Sequence, residues 1–232
     1  MFRTSGFFFV GLFGLALLAF WPQYLARLST GRITGYVHLH AVAMTLWVGL
    51  LIVQPFLIAR GRRSLHRTLG TLSYGVAPVV VVAGVLLAHA ALVRDAAVDP
   101  AGAGAMLYLV LVMIAWFAVC YGLAIAYRKT PRLHARFMIG TSLALIDPIA
   151  ARVAIFYFPT LDHPLRYQLI SWGLTALVLS LLMFIERRQP RDRAVFPVML
   201  VASTVVYGLW FTLAQSPSWL GVARWFHDLP LT

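Results

Sequence analysis

Charge is what this sequence has least of. Only 11% of its 232 residues are Asp, Glu, Lys or Arg, against ~25% in soluble domains, and just seven are acidic. A surface built from so few charges does not suit water. Cysteine is nearly absent: Cys120 stands alone inside an apolar run, which excludes an intrachain disulfide framework and any Cys-based zinc site. GxSxG, Walker, HExxH and CxxC patterns are all missing, and with them the reaction classes they signal. The short alternating segments of a membrane β-barrel are missing as well.

What fills the chain is apolar. Hydrophobic residues make up 61% and mean hydropathy is +0.85. Runs of ~20 apolar residues recur, each long enough to cross ~30 Å of hydrocarbon. The sequence predicts an all-α, polytopic membrane bundle. It forms one integral domain over residues 1–232, with about seven spans near 6–26, 33–58, 69–93, 103–127, 135–158, 167–186 and 195–215. The amino-terminal run after Arg3 imitates a signal peptide. It lacks a small-x-small cleavage site, and Trp21, Pro22 and Tyr24 follow it, which suits a retained first span.

The net charge of +12 would suggest nucleic acid in a soluble protein. Here twelve of the nineteen basic residues fall in three alternate loops, 60–67, 128–136 and 187–193. Such clustering sets orientation, so those loops are expected in the cytoplasm, with the N-terminus inside and the C-terminus outside. The lipid bilayer is the expected partner, in a bacterial inner membrane, and no nucleic acid is expected.

Spans 2–3 and 4–5 form a weak parallel repeat. In each, an apolar span is followed by a basic turn and then a Leu-His pair: Leu65-His66-Arg67 and Leu133-His134-Ala135-Arg136, with Gly70 and Gly140 beyond. Parallel repeats can place a site between equivalent helices. If spans 3 and 5 face one another, His66 and His134 meet at one depth, and two neutral imidazoles can ligate a b-type haem. His66, Gly70, Ser73 and Ala77 would form a small-residue face beside them. The plainer reading has each histidine capping a helix and touching lipid phosphate. His40 shares a helical stripe with Tyr36, Met44, Trp47, Leu51 and Gln54, plausible walls for a quinone or simply packing. His40 and His89 are the candidates for an outer pair, while His38 points away.

Asp147-Pro148 and Arg152 are the most expensive residues, each charge costing on the order of 2.5–3.5 kcal/mol at a span centre on insertion scales. Pro148 frees the Ala144 carbonyl and should kink the span. The pair either fixes packing or forms a proton-linked or cofactor-carboxylate-binding group.

Through Trp21-Pro22, His38-Leu39-His40, Gln54-Pro55, Leu65-His66-Arg67 with Gly70, and His134-Ala135-Arg136-Phe137-Met138, the chain resembles a bacterial multi-pass family of unknown function. More distantly, it is similar to transmembrane di-haem b cytochromes. That resemblance implies haem b and electron transfer to a redox partner, for which the His40 stripe suggests a quinone. It departs at span 4, which has no histidine and offers only Met106 and Met113. The leading expectation is membrane electron transfer. The alternatives are a non-haem protein with a polar interior, transporter-like or serving respiratory-complex assembly, and a structural membrane protein. A periplasm-active reporter fused after Arg193 should be silent, and one fused after Thr232 active; the reverse pattern refutes the orientation.

Overall fold

The computed structural model describes residues 5–31, 33–158, 160, 164–187 and 194–232. Arg188, Arg191 and Arg193, on which part of the charge argument rests, lie outside them, as does Arg3. The described residues form ten α-helices: α1 (Ser5–Phe20), α2 (Gly35–Ala59), α3 (Arg63–Gly70), α4 (Ser73–Ala96), α5 (Pro100–Ala126), α6 (Pro131–Leu143), α7 (Ile146–Tyr157), α8 (Pro164–Glu186), α9 (Val195–Trp210) and α10 (Pro217–His227). A 3-10 turn, Leu25–Thr30, joins α1 to α2. No strand occurs among the described residues.

Five helical stretches are long and apolar enough to cross a membrane: Gly35–Ala59, Arg63–Ala96, Pro100–Ala126, Pro131–Tyr157 and Leu165–Glu186. α1 and α9 are apolar but shorter, at 16 residues each.

The helix ends follow from local chemistry. Asp99 caps α5 by accepting the Gly102 N–H at 2.9 Å, with Pro100 in the first turn, where a missing N–H costs nothing. Ser216 and Pro217 open α10 in the same way. The turn after α2 closes through Gly61, whose φ of 72° is the left-handed conformation that favours glycine. The fifth expected span is broken at Ala144 and Leu145. Pro148 has no N–H for the Ala144 carbonyl, so the helix stops there and restarts as α7. The helices that follow the first two basic turns are both interrupted, the earlier one at Thr71 and Leu72.

The chain divides into two compact units. Unit 1 comprises residues up to Ala83 with Pro148–His163. Unit 2 comprises Gly84–Asp147 with Pro164–Thr232. In unit 1, α1 packs along α2 and α2 along α3. In unit 2, α5 lies along α6, α8 along α9, and α9 touches α5 and α6.

α10, which the sequence reading left as a tail, covers the first turns of α5. Its Ala223 and Phe226 enter a cluster with Ala88, Leu92, Ala103 and Leu107. Trp219 donates its indole N–H to the Gly104 carbonyl at 2.8 Å, and Trp210 donates to Ala105 at 3.2 Å.

The outward faces are apolar. Val198, Val201 and Val205 are exposed on α9, and Leu169, Leu174, Leu177 and Leu181 on α8. Exposed apolar faces of this extent do not occur on an ordinary water-soluble monomer. Inside unit 2, α6 approaches its neighbours at Gly140, where an added Cβ would sit 2.5 Å from Met199 Cε and 2.9 Å from Cys120 Sγ. Gly140→Ala should therefore cost about 1–3 kcal/mol by overpacking. Gly122→Ala, with nothing within 4 Å, should be neutral. Melting of the purified protein in detergent checks both, and equal midpoints would remove the close-packing argument.

Candidate functional site

The polar interior of unit 2 is built from α6, α8, α9 and the start of α7. Arg136, in the second turn of α6, donates from Nε to Glu186 Oε2 at 2.8 Å, with side chains 0% and 4% exposed. Two ions taken this far out of water hold each other in place, and removing either strands a buried charge at about 3–5 kcal/mol. This corrects the sequence reading, which counted Arg136 among the exposed loop charges. α6 begins at Pro131, and one turn further its side chains already point inward.

The break before α7 gives Asp147 its setting. It lies in the first turn of α7, where unpaired backbone N–H groups and the helix dipole favour a carboxylate. Tyr207 of α9 donates its hydroxyl to Asp147 Oδ1 at 3.3 Å. Beside Tyr207 lies a void of about 10 Å³ lined by Met113, Trp116, Leu143, Thr175, Ser203 and Tyr207, with Val206. Trp116 also ties α5 to α6 by donating to the Gly140 carbonyl at 3.0 Å.

α8 presents a polar stripe to this interior. Gln168, Ser171 and Thr175 are all buried and recur at the three-to-four-residue spacing of one helix face. Gln168 Oε1, Ser171 Oγ and Thr175 Oγ1 make no hydrogen bond to protein. Thr175 faces the Tyr207 hydroxyl. Each such group costs about 1–3 kcal/mol if nothing satisfies it. The same stripe continues through Leu179, fully buried, to Glu186.

The expected histidine pairs divide between the two units. His66 and His40 belong to unit 1, and His134 and His89 to unit 2. Each expected haem pair thus takes one ring from each unit, and each ring is described by its own surroundings. His134 Nδ1 bonds the Ala124 carbonyl at 2.9 Å, clasping the last turn of α5 across the basic turn. Nδ1 must carry the proton there, which puts the neutral ring's lone pair on Nε2. His89 is 1% exposed; its Nδ1 lies 2.7 Å from Thr232 Oγ1 and its ring meets Phe226 edge-on at 5.3 Å. It packs beneath α10.

In unit 1, Trp47 and Leu51 of the expected stripe are buried together with Ala43, so that face of α2 is packing core. His40 and Gln54 lie half-buried at its two ends, with His40 Nδ1 and Gln54 Oε1 unbonded. Arg152 is the charge that acts on His40. Its guanidinium donates to the Pro148 carbonyl at 3.0 Å and lies 4.5 Å from the centre of the Phe20 ring. His66 is half-buried on α3, and the small-residue face beyond it continues through buried Ser73 and Ala77. His38 meets the Tyr24 hydroxyl at 3.0 Å. Among the described residues, no group of three or more His, Cys, Asp or Glu side chains could hold a metal ion.

Sequence reasoning missed Glu186, Tyr207 and the α8 stripe. Polar residues at helical spacing in a Leu-rich run were the available signal for the stripe. No protein-family model matches the chain, and neither a curated protein nor a solved structure is similar to it.

The charge pair can be tested directly. Arg136→Ala should destabilise unit 2 by about 3–5 kcal/mol, because the buried Glu186 carboxyl is left without its partner. Arg136→Met with Glu186→Leu should recover most of that loss. Additive losses in thermal melts would show that the two side chains act independently.

Proposed function

We propose that the chain is a seven-span protein of the bacterial inner membrane, with its amino terminus in the cytoplasm and α1 and α9 completing the five longer spans. We place it in the non-haem, transporter-like class, its polar interior coupled to proton movement. The observation that carries this reading is the broken helix α6–α7, whose restart presents Asp147 to Tyr207 inside unit 2. Discontinuous helices with a polar group at the break are how many secondary transporters build their binding sites. An ionisable residue in a span is costly enough to mark a pathway or relay. The apolar outer faces and inward Gln168, Ser171 and Thr175 support the same reading.

A second reading is membrane electron transfer through a b-type haem with His134 as a ligand, with a quinone as partner. One observation favours it: the bond from His134 Nδ1 to the Ala124 carbonyl is the kind of outer contact that fixes the tautomer of a metal-ligating imidazole.

One preparation separates the two. In proteoliposomes under an imposed potential, an internal pH dye should report proton uptake severalfold above protein-free vesicles, and Asp147→Asn should fall to the vesicle background. Wild-type flux no faster than that background overturns the proton-coupled reading. If instead the purified protein shows a Soret band that shifts on dithionite and disappears in His134→Ala, the electron-transfer reading replaces it.

A further inference from the structure

We infer that the space among Thr175, Ser203 and Tyr207 holds water, and that this water joins Ser171 and Gln168 in a hydrogen-bonded chain along α8 that ends on the Asp147–Tyr207 pair. This deepens the polar-interior reading and rests on it, by naming what occupies the interior: water and the protons that water can carry.

Three features of unit 2 support the inference. The void, about 10 Å³, is the size that one water needs, and such a site stays wet only when polar groups line it. Thr175, Ser203 and Tyr207, three hydroxyl-bearing residues, line it together with Met113, Trp116, Leu143 and Val206. Ser203 already donates to the Leu200 carbonyl at 2.9 Å and Tyr207 to Asp147, so their oxygens remain as acceptors for a water proton. Thr175 Oγ1, on a residue only 4% exposed, makes no hydrogen bond to protein.

The second feature is the stripe itself. Ser171, fully buried, and Gln168, 5% exposed, also lack protein partners for their side-chain oxygens. Along a helix, steps of four and three residues are about 6 Å and 4.5 Å. One bridging water with two hydrogen bonds of ~2.8 Å covers each step. Buried polar atoms are satisfied by protein or by ordered water. For these three, water is the partner whose size and bonding fit.

The third feature is where the chain stops. Beyond Thr175 the stripe continues as Leu179, which is fully buried, before it reaches Glu186. Eleven residues separate Thr175 from Glu186, about 16 Å of helix, and the side chains of this stripe in between are apolar. The hydrated chain and the Arg136–Glu186 pair are thus two polar regions separated by a dry layer.

Hydroxyl-radical footprinting of the intact protein in detergent tests the inference, because brief radiolysis modifies buried side chains beside bound water. Tyr207 should be modified severalfold faster than Tyr108, an equally buried tyrosine whose hydroxyl bonds the Val206 carbonyl. Met113 should exceed Met199, which packs on Gly140. Thr175→Val should bring Tyr207 down toward Tyr108; if that variant does not fold, the two wild-type comparisons decide. Tyr207 and Met113 modified no faster than their controls would show a dry void and overturn the chain. Modification without proton flux leaves the water chain standing and removes the proton-coupled function. Flux without modification keeps that function and removes the chain.

Discussion

With lipid-like side chains on the outside, every polar group that is not at a helix end must find its partner within the protein. The Arg136–Glu186 pair is the strictest case, with both side chains out of reach of solvent. It joins the start of α6 to the end of α8 across fifty positions of sequence. α6 is thereby fixed at its first turns by an ion pair and further along by close contact at Gly140. The break at Ala144 follows directly, and the direction in which Asp147 points depends on it. The geometry of the polar interior is set by one ion pair, one glycine and one proline.

The histidines show how much one residue type can be asked to do. At sequence level they invite pairing, because imidazole is the commonest metal ligand. In the folded chain three of them satisfy a backbone carbonyl or a neighbouring hydroxyl. His134 takes up a carbonyl at the end of α5, where the last turn leaves carbonyls without intrahelical partners. His89 bonds a threonine hydroxyl under α10, and His38 a tyrosine hydroxyl. These contacts hold turns and helix ends, and for His134 the same contact also sets which nitrogen would face a ligand.

The helices were legible in the sequence because their signal is long and redundant. Twenty apolar residues cannot be mistaken for a loop, and Pro148 announced the break in the fifth span. The site was legible only in part. Asp147 stood out because an acid in an apolar run is costly wherever it lies. Arg136 was misread because a basic residue five positions into a helix looks like part of the basic turn before it. Only the register of α6, which turns it toward Glu186, shows otherwise. α10 was missed because it is short, with its tryptophans and Arg224 mixed along it, and its reason for folding is the surface offered by the first turns of α5.

α8 shows why the remaining site residues were hidden. Its hydropathy is high enough for a membrane span, and three neutral polar residues barely lower that average. The information lies in their phase. Gln168, Ser171 and Thr175 share one face, while Leu169, Leu174, Leu177 and Leu181 hold the other. In a water-soluble helix the polar face would point out; here it points in and the leucines point out, the arrangement expected of a helix long and apolar enough to cross a membrane. Burying three such groups on one face when Leu would pack as well is hard to explain by stability alone. It makes sense if the interior they line has a polar occupant, and among the described residues that interior converges on the carboxylate of Asp147 and the hydroxyl of Tyr207.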